Sequence, residues 1–160
     1  MANYVQEIRK YVGKKPIFMP GAGVVLYDAE TQEIVMQKRS DNGCWGIFGG
    51  SMEFGEQAED TAKRELFEES GVQATALELI GVEAGQALFH EYPNGDQVYN
   101  VACLFVCEAW EGTPYVHDDE SLEIKRFSIF ALPISDELNP PDYQLIQRFL
   151  SWSKVEEIML

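Results

Sequence analysis

Apolar and polar positions follow a helical period at two places in the first half of the chain. Val5, Ile8 and Val12 fall on one face of a helix, which predicts an N-terminal helix. Residues 57–70 contain no Gly or Pro and are rich in Ala, Glu, Lys, Arg and Leu, a composition typical of helices. Gly71 follows where a C-cap is expected, so the pattern predicts a second helix that ends there.

A third helix is predicted near the end of the chain. Pro140 and Pro141 introduce it, and Asp142 is its expected N-cap. An apolar stripe, which we expect to face the core, then consists of Tyr143, Ile146, Phe149 and Leu150.

Runs of β-branched and aromatic residues predict strands between these helices. They cover residues 23–27, 34–37, 76–82, a segment ending near His90, 97–108 and 123–129. Asn94-Gly95 lies between two such runs and indicates a hairpin. The Gly-rich segment 43–55 is interrupted by Trp45 and Phe48, among others, which indicates a shaped loop rather than a flexible linker.

The composition predicts one compact domain over residues 1–160. The chain has 46% hydrophobic and 12% aromatic residues, which is enough to form a core. Its 27 Asp and Glu residues against 12 Lys and Arg give a net charge of −15 at pH 7. Such a field repels phosphate backbones and anionic lipid, so we expect neither nucleic acid nor membrane as a partner. An anionic substrate would need a cation to mediate its binding.

The cysteines and the apolar stretches favour a cytoplasmic protein. Cys44, Cys103 and Cys107 are odd in number and form no C-x-x-C pair, which fits neither a disulfide framework nor a zinc site. The first 13 residues lack the apolar centre of a signal peptide. The longest apolar stretch, residues 101–107, is far too short to span a bilayer.

Three glutamates in the predicted second helix carry the strongest chemical signal. Glu65, Glu68 and Glu69 stand at i, i+3 and i+4, so their carboxylates are neighbours on one helical surface. Like charges at this spacing repel one another, and a divalent cation would turn that repulsion into attraction. Oxygen-only ligands suit Mg²⁺ or Mn²⁺ rather than zinc. The alternative is a solvated acidic face of the helix.

The residues around these glutamates favour the metal hypothesis. The segment GSMEFGEQAEDTAKRELFEESGV, residues 50–72, resembles the signature of the Nudix hydrolase family, G-x5-E-x7-R-E-U-x-E-E-x-G-U, with U a bulky apolar residue. The matching positions are Gly50, Glu56, Arg64, Glu65, Leu66, Glu68, Glu69, Gly71 and Val72. The preceding WGIFGG is similar to the family's W-x-x-P-G-G, with Phe48 where proline is usual. The N-terminal helix, PGAGVVLYD and IKRFSIFALP also resemble pieces of compact Nudix hydrolases.

The resemblance implies both a fold and a chemistry. The fold is an α/β/α sandwich with a central mixed sheet, in which the signature forms a loop, a helix and a loop. The chemistry is Mg²⁺-dependent hydrolysis of a pyrophosphate linkage, with Mn²⁺ as an alternative metal. In such a site the metal stabilises charge on phosphate oxygens and lowers the pKa of the attacking water.

The resemblance also assigns roles to residues of the signature. Glu68 and Glu69 are the best-supported metal ligands, Glu65 is a further ligand or the base, and the Gly49 carbonyl is another candidate ligand. The resemblance assigns Glu65, Glu68 and Arg64 to catalysis, with Arg64 holding the glutamates by ion pairing. The residues assigned to the structure of the motif are Gly50, Glu56 and Gly71. Leu66 and Ala62 are expected to face away from the carboxylates, into the core.

Two candidates lie outside the signature. Family members often add an acidic residue from a later loop, and Glu120 is our choice among the acidic residues at 118–120 and 123. Arg39, before the Gly-rich segment, is a candidate for contact with a substrate phosphate. A solvated acidic loop and an exposed cation are the respective alternatives.

Substrate-specific marks of the family are mostly absent from the chain. Where ADP-ribose pyrophosphatases often carry proline the chain has Ala87-Leu88, and where dinucleoside-polyphosphate hydrolases often carry tyrosine it has Phe89-His90. We therefore expect a nucleoside triphosphate substrate, an oxidised one included. ADP-ribose or nucleotide-sugar hydrolysis, a non-catalytic nucleotide sensor and a homodimer are left open.

Overall fold

The structure, a computed structural model, describes residues 4–153 of the chain. The single domain expected over 1–160 therefore includes residues 1–3 and 154–160, which lie outside the described residues. The elements in chain order are α1 (Tyr4–Val12), β1 (Ile17–Asp28), β2 (Glu33–Arg39), β3 (Trp45–Gly46), β4 (Phe48–Ser51), α2 (Ala58–Ser70), β5 (Gln73–Glu83), β6 (Phe89–Glu91), β7 (Gln97–Glu111), β8 (Ser121–Ser128) and α3 (Pro140–Ser153). Short 3-10 turns precede β6 and α3.

Eight strands of the described chain form one mixed sheet. The main strand order is β3-β2-β1-β7-β5, with β4 paired to β1, β6 to β7 and β8 to β2. β1 and β7 run parallel from Ile17 beside Val98 to Leu26 beside Cys107, and the other pairs are antiparallel. The β6–β7 pair is the hairpin indicated by Asn94-Gly95.

Helices cover both faces of the sheet, so the expected α/β/α sandwich is confirmed. Val24 and Leu26 of β1 belong to the core cluster that contains Ala62 and Leu66 of α2. Val25 and Tyr27 alternate with them and pack in the cluster that contains Ile146 and Phe149 of α3. Because both faces of β1 are covered, its core segment is an uninterrupted apolar run instead of an alternating one.

The predicted helix over 57–70 is confirmed, with bounds set by local signals. Asp60 Oδ2 accepts a hydrogen bond from the N–H of Gln57, the residue before the helix, at 2.9 Å. Gly71 adopts a left-handed conformation with φ of 74° and donates its N–H to the Phe67 carbonyl at 2.8 Å. Glycine adopts that conformation without the steric cost other residues incur, so the chain turns there into β5.

The prediction for the start of the third helix was wrong in two respects. α3 begins at Pro140, so Asp142 lies inside its first turn, where its Oδ2 accepts the Ile47 N–H at 3.1 Å. Tyr143 is 44% exposed and is not part of the core stripe. The buried stripe uses Leu145, Ile146 and Phe149 instead. A helix that begins at Pro140 turns residue 143 outward, and the tertiary contact to Ile47 recruits Asp142 inward.

β1 is also longer than the sequence pattern indicated. It begins at Ile17, although residues 17–22 include Pro20 and Gly21. Parallel pairing with β7 holds this segment in an extended form, and the Pro20 carbonyl accepts the Met52 N–H at 3.0 Å. None of the helices between residues 4 and 153 combines the length and apolarity required to span a bilayer.

Candidate active site

A cleft of about 840 Å³ lies over the glycine-rich pairing of β1 with β4. Residues of α1, α2, the β6–β7 hairpin and the start of α3 line its walls. Of the residues predicted from the sequence, the cleft brings together Arg39, Gly49, Gly50, Arg64, Glu65, Glu68, Glu69 and Glu120. Glu56 and Gly71 are outside its lining: Glu56 precedes α2, and Gly71 caps its other end.

Glycines allow β1, β4 and α2 to approach closely at the floor of this cleft. A Cβ on Gly49 would overlap the Ala22 carbonyl, and Gly49 has a φ of 153°. A Cβ on Gly50 would lie about 2.5 Å from the carboxyl group of Glu65. These two positions therefore need glycine for α2 to place its carboxylates against β4.

Glu69 is the most deeply buried carboxylate of the group. Its Oε2 accepts hydrogen bonds from the Gly49 N–H at 3.0 Å and from Gln37 Nε2 at 2.9 Å. The Ser121 hydroxyl donates in turn to Gln37 Oε1. Burial raises the pKa of Glu69 well above its ordinary value, and the charge of Glu65 raises it further.

Arg64 joins three of the acidic side chains to the backbone of β4. Its Nε donates to Glu56 Oε1 at 2.8 Å, and its Nη1 donates to Glu65 Oε1 at 2.7 Å. Nη1 also lies 3.3 Å from Glu68 Oε2, and Nη2 donates to the Ser51 carbonyl at 3.0 Å. The planar guanidinium thus contacts all four groups at once, which the point charge of a lysine could not do.

Glu65 and Glu120 carry the same electrostatic signature. Burial raises the pKa of Glu65 against the opposing effect of Arg64, and the charges of Glu68 and Glu120 raise it further. Burial likewise raises the pKa of Glu120, with Asp118 as the next cause and Glu68 a smaller one. Carboxylates that lie close enough to raise the pKa of a neighbour, as Glu120 does for Glu65, are donors suited to a hard divalent cation.

The carboxylates share the cleft but are not gathered around one point. Across residues 4–153, no three His, Cys, Asp or Glu side chains are arranged to enclose a metal ion. Arg64 engages Glu65, and the Gly49 N–H and Gln37 engage Glu69. These bonds fix the orientations of the Glu65 and Glu69 carboxylates at the floor of the cleft.

Arg39 lines the cleft with its guanidinium already engaged. Nε and Nη2 donate to the two carboxylate oxygens of Asp41 at 2.9 and 2.7 Å. A phosphate that contacts Arg39 must therefore share or displace this bidentate pair.

Sequence reasoning missed Gln37, Asp142 and Asn139 as polar residues of this region. Asp142 is buried, and burial raises its pKa to about 6, with Arg39 opposing. Asn139 Oδ1 accepts a hydrogen bond from Asn42 Nδ2 at 2.9 Å. The available signal was a polar residue inside an apolar pattern: Gln37 ends the run Ile34-Val35-Met36, and Asp142 sits three residues before Leu145.

This fold and site define the class of the protein. The family model for the NUDIX domain matches residues 17–149, most of the chain, and the protein therefore belongs to the Nudix family. It is similar to a putative 8-oxo-dGTP diphosphatase of Bacillus subtilis, 39% identical over 66 residues, or 41% of this chain and 44% of that protein. It is also similar to an oxidized purine nucleoside triphosphate hydrolase of Mus musculus, 32% identical over 102 residues, or 63% and 60% of the two chains.

The alignments span less than two thirds of either relative's length. Among solved structures, the crystal structure of a MutT NUDIX hydrolase from Burkholderia pseudomallei superposes with a TM-score of 0.68 at 25% identity. That superposition covers 84% of this chain and 98% of the other. The helix α1 lies outside the residues matched by the family model.

Proposed function

We propose that this protein is a divalent-metal-dependent pyrophosphohydrolase that cleaves a phosphoanhydride bond of a nucleoside triphosphate, oxidised purine nucleotides included. The observation that carries the proposal is the nearly complete burial of Glu69 beside Glu65 at the floor of an open cleft. Burying carboxylates next to each other is unfavourable for an isolated domain. A bound cation and the substrate it brings would offset that cost.

The donor set proposed for Mg²⁺ or Mn²⁺ consists of Glu65, Glu68, Glu69, Glu120 and the Gly49 carbonyl. When bound, the metal would supply charge neutralisation at the phosphate oxygens and a water of lowered pKa. Arg64 keeps Glu65 and Glu68 directed toward the cleft. The raised pKa values of Glu65 and Glu120 make these two carboxylates the candidate bases that accept a proton from water.

Arg39 is proposed to bind a phosphate of the substrate. Its bidentate pair with Asp41 keeps the guanidinium in a fixed orientation before substrate arrives. Two oxygens of a phosphate group can accept a pair of hydrogen bonds from the guanidinium, as the two carboxylate oxygens of Asp41 do, so a phosphate can take the place of Asp41.

The cleft also has walls suited to a heteroaromatic base. Met19, Leu88 and Leu145 provide apolar surface, while Asp142 provides a polar group. An acid whose pKa is about 6 is present in both its donating and accepting forms near neutrality, which suits a base edge that carries both kinds of group. The names of the two relatives favour a purine nucleoside triphosphate over ADP-ribose or a nucleotide sugar.

The test is a panel of nucleoside triphosphates, oxidised nucleotides, ADP-ribose and nucleotide sugars, assayed with Mg²⁺ or Mn²⁺ by separating the products. We expect turnover that is lost with a chelator and in Glu69→Gln. Glu59→Gln is the matched control, because Glu59 lies on the same helix but pairs with Lys63 in solvent. Metal-dependent nucleotide binding without turnover would instead support a sensor, and preference for ADP-ribose would move the substrate to the alternative class.

A further inference from the structure

The segment between β7 and β8 is attached to the C-terminal end of α2. The Tyr115 N–H donates to the Ser70 carbonyl at 3.1 Å, and Nδ1 of His117 lies 2.8 Å from the Glu68 carbonyl oxygen. The ring of Tyr115 also covers Gly71 so closely that a Cβ there would overlap it. The segment thus makes three contacts with the end of α2 and its cap, although residues 113–117 have no regular secondary structure.

These contacts satisfy carbonyl groups that the helix leaves without partners. The last four carbonyls of an α-helix have no donor within the helix. Gly71 caps Phe67, Tyr115 caps Ser70, and His117 is the donor for Glu68. Since a carbonyl oxygen only accepts hydrogen bonds, Nδ1 of His117 must carry a proton in this arrangement.

Two aromatic rings hold the imidazole in this orientation. The ring of Phe67 lies 5.2 Å from that of His117, and the ring of Tyr115 lies 5.3 Å away at 90°. Phe67 belongs to α2 and Tyr115 to the attached segment, so the imidazole bridges the two by both packing and hydrogen bonding.

The same segment ends in Glu120, an acidic residue outside α2 that lines the cleft with Glu65, Glu68 and Glu69. The Glu120 N–H donates to Asp118 Oδ1 at 3.0 Å, and its carbonyl accepts the Ser40 N–H at 2.9 Å. The backbone of Glu120 is therefore attached to Ser40, just after β2. Three residues earlier in the chain, His117 attaches the same segment to α2. The anchor at His117 falls on Glu68, itself one of the cleft's glutamates.

We propose that His117 is a positioning residue, whose hydrogen bond to the Glu68 carbonyl keeps the segment that carries Glu120 attached to α2, so that Glu120 stays on the same cleft as the α2 glutamates for a divalent cation. The inference rests on the proposed function for the cation, but it assigns to His117 a role outside the signature. His117 itself is not among the residues that line the cleft. Its effect should pass entirely through Glu120.

Two variants separate the hydrogen bond from the ring. His117→Asn keeps an N–H donor close to the position of Nδ1, and His117→Phe keeps the ring between Phe67 and Tyr115 without the donor. Val116→Ala, an exposed neighbour in the same segment, is the control. Mn²⁺ affinity by calorimetry and kcat on the best substrate are measured for each. We expect His117→Phe to weaken Mn²⁺ binding and lower kcat by about tenfold or more, the usual effect of removing a group that orients a metal ligand, and His117→Asn to restore most of both.

A double-mutant cycle with Glu120→Gln tests whether the effect passes through Glu120. We expect His117→Phe to cause little further loss of Mn²⁺ affinity once Glu120 has been changed. Three results would each overturn the proposal. His117→Phe could bind Mn²⁺ and turn over substrate as well as the wild type, or His117→Asn could lose as much affinity and kcat as His117→Phe. The third is that His117→Phe lowers Mn²⁺ affinity by the same factor with Glu120→Gln as without it.

The protonation of His117 can be measured on the wild-type protein, so this test does not depend on whether a variant folds. The ¹⁵N chemical shifts of the imidazole distinguish the Nδ1–H from the Nε2–H tautomer, and the proposal requires a proton on Nδ1. A neutral Nε2–H tautomer would overturn it. If the wild type binds Mn²⁺ but hydrolyses no nucleotide, the proposed hydrolase function is rejected, and the role of His117 can still be tested by Mn²⁺ affinity. If the wild type is active and His117→Phe is unaffected, only the role of His117 is rejected.

Discussion

Gln37 Nε2 donates a hydrogen bond to Oε2 of Glu69 at 2.9 Å, and both side chains are almost completely buried. The amide also contacts the Ile47 carbonyl at 3.3 Å and accepts from the Ser121 hydroxyl. Gln37 therefore links β2, the glycine-rich segment and β8 to the most buried carboxylate of α2. Its position inside the apolar run of β2 has a physical reason, because Glu69 needs a donor there.

Replacing Gln37 with Met should destabilise the protein although it adds apolar bulk to a buried site. The substitution removes one of the two donors of Glu69 and leaves the Ser121 hydroxyl without its acceptor. An unsatisfied buried polar group costs about 1–3 kcal/mol. Urea unfolding of Gln37→Met against Met36→Leu, a buried neighbour without polar contacts, measures the difference. Equal stability of the two variants would contradict the role given to Gln37.

Glu69→Gln should stabilise the metal-free protein above about pH 5 while removing its stabilisation by metal. The pKa of Glu69 is raised in the folded state, so its contribution to stability is complete below the unfolded pKa and declines as the pH rises through the folded pKa. Each pH unit in that window costs about 1.4 kcal/mol, which a neutral amide avoids. Thermal unfolding across pH, with and without Mn²⁺, gives both effects. A variant less stable than wild type at every pH, or still stabilised by Mn²⁺, would contradict this prediction.

Arg64→Lys should disturb the site more than the retained charge suggests. A lysine can reach one of the groups now held by Arg64, which include Glu56, Glu65 and the Ser51 carbonyl. We expect a loss of stability on the order of 1 kcal/mol and a fall in kcat of about tenfold or more, since the glutamates are no longer held in their orientation. Lys63→Arg, in the exposed pair with Glu59, should change neither. Steady-state kinetics and urea unfolding decide between these outcomes.

The helix α2 and its glutamates could be predicted because their signals are local. Its bounds follow from composition and from Gly71, and its carboxylates fall on one surface by helical spacing alone. The match to the Nudix signature further predicted roles for the residues next to these glutamates in the sequence, and it predicted the sandwich fold. Nothing in that local pattern required knowledge of a distant contact.

Other features depend on contacts between residues distant in sequence, and a single sequence does not encode them locally. Asp142 looked like a helix cap, yet it bonds to Ile47, 95 residues away. The early part of β1 is extended because β7 lies beside it. Arg39 and Asp41 are only two residues apart, but nothing in the sequence distinguishes either of them from an ordinary exposed charged residue. The sequence therefore predicted α2 with its glutamates and a few further residues of the cleft, Arg39, Gly49 and Glu120 among them, but not the long-range contacts that hold the cleft together.

Phe48 is a core residue where the family usually has proline. Its side chain is fully buried in the cluster that contains Val24, Ala62 and Leu66. In the sequence it comes directly before Gly49. Phe48→Ala should cost about 3–5 kcal/mol, and Phe48→Leu about 1 kcal/mol because it refills most of the space. Phe48→Pro should be closer to the alanine variant, since the ring is lost. Phe18→Leu is the control, because Phe18 is 74% exposed. Full stability of Phe48→Pro in urea unfolding would show that the ring is dispensable.

Asp142 provides a pH dependence that can be separated from that of the glutamates. Burial raises its folded pKa to about 6 from 3.8, so its contribution to stability is complete below 3.8 and lost as the pH rises through 6. At about 1.4 kcal/mol per unit the full loss is about 3 kcal/mol, of which about 1.4 kcal/mol falls between about pH 5 and about pH 8. Asp142→Asn can still accept the Ile47 N–H but does not ionise. The free energy of unfolding of the wild type should therefore fall relative to Asp142→Asn over this range, and parallel curves would mean that the carboxylate of Asp142 ionises as readily as one in water.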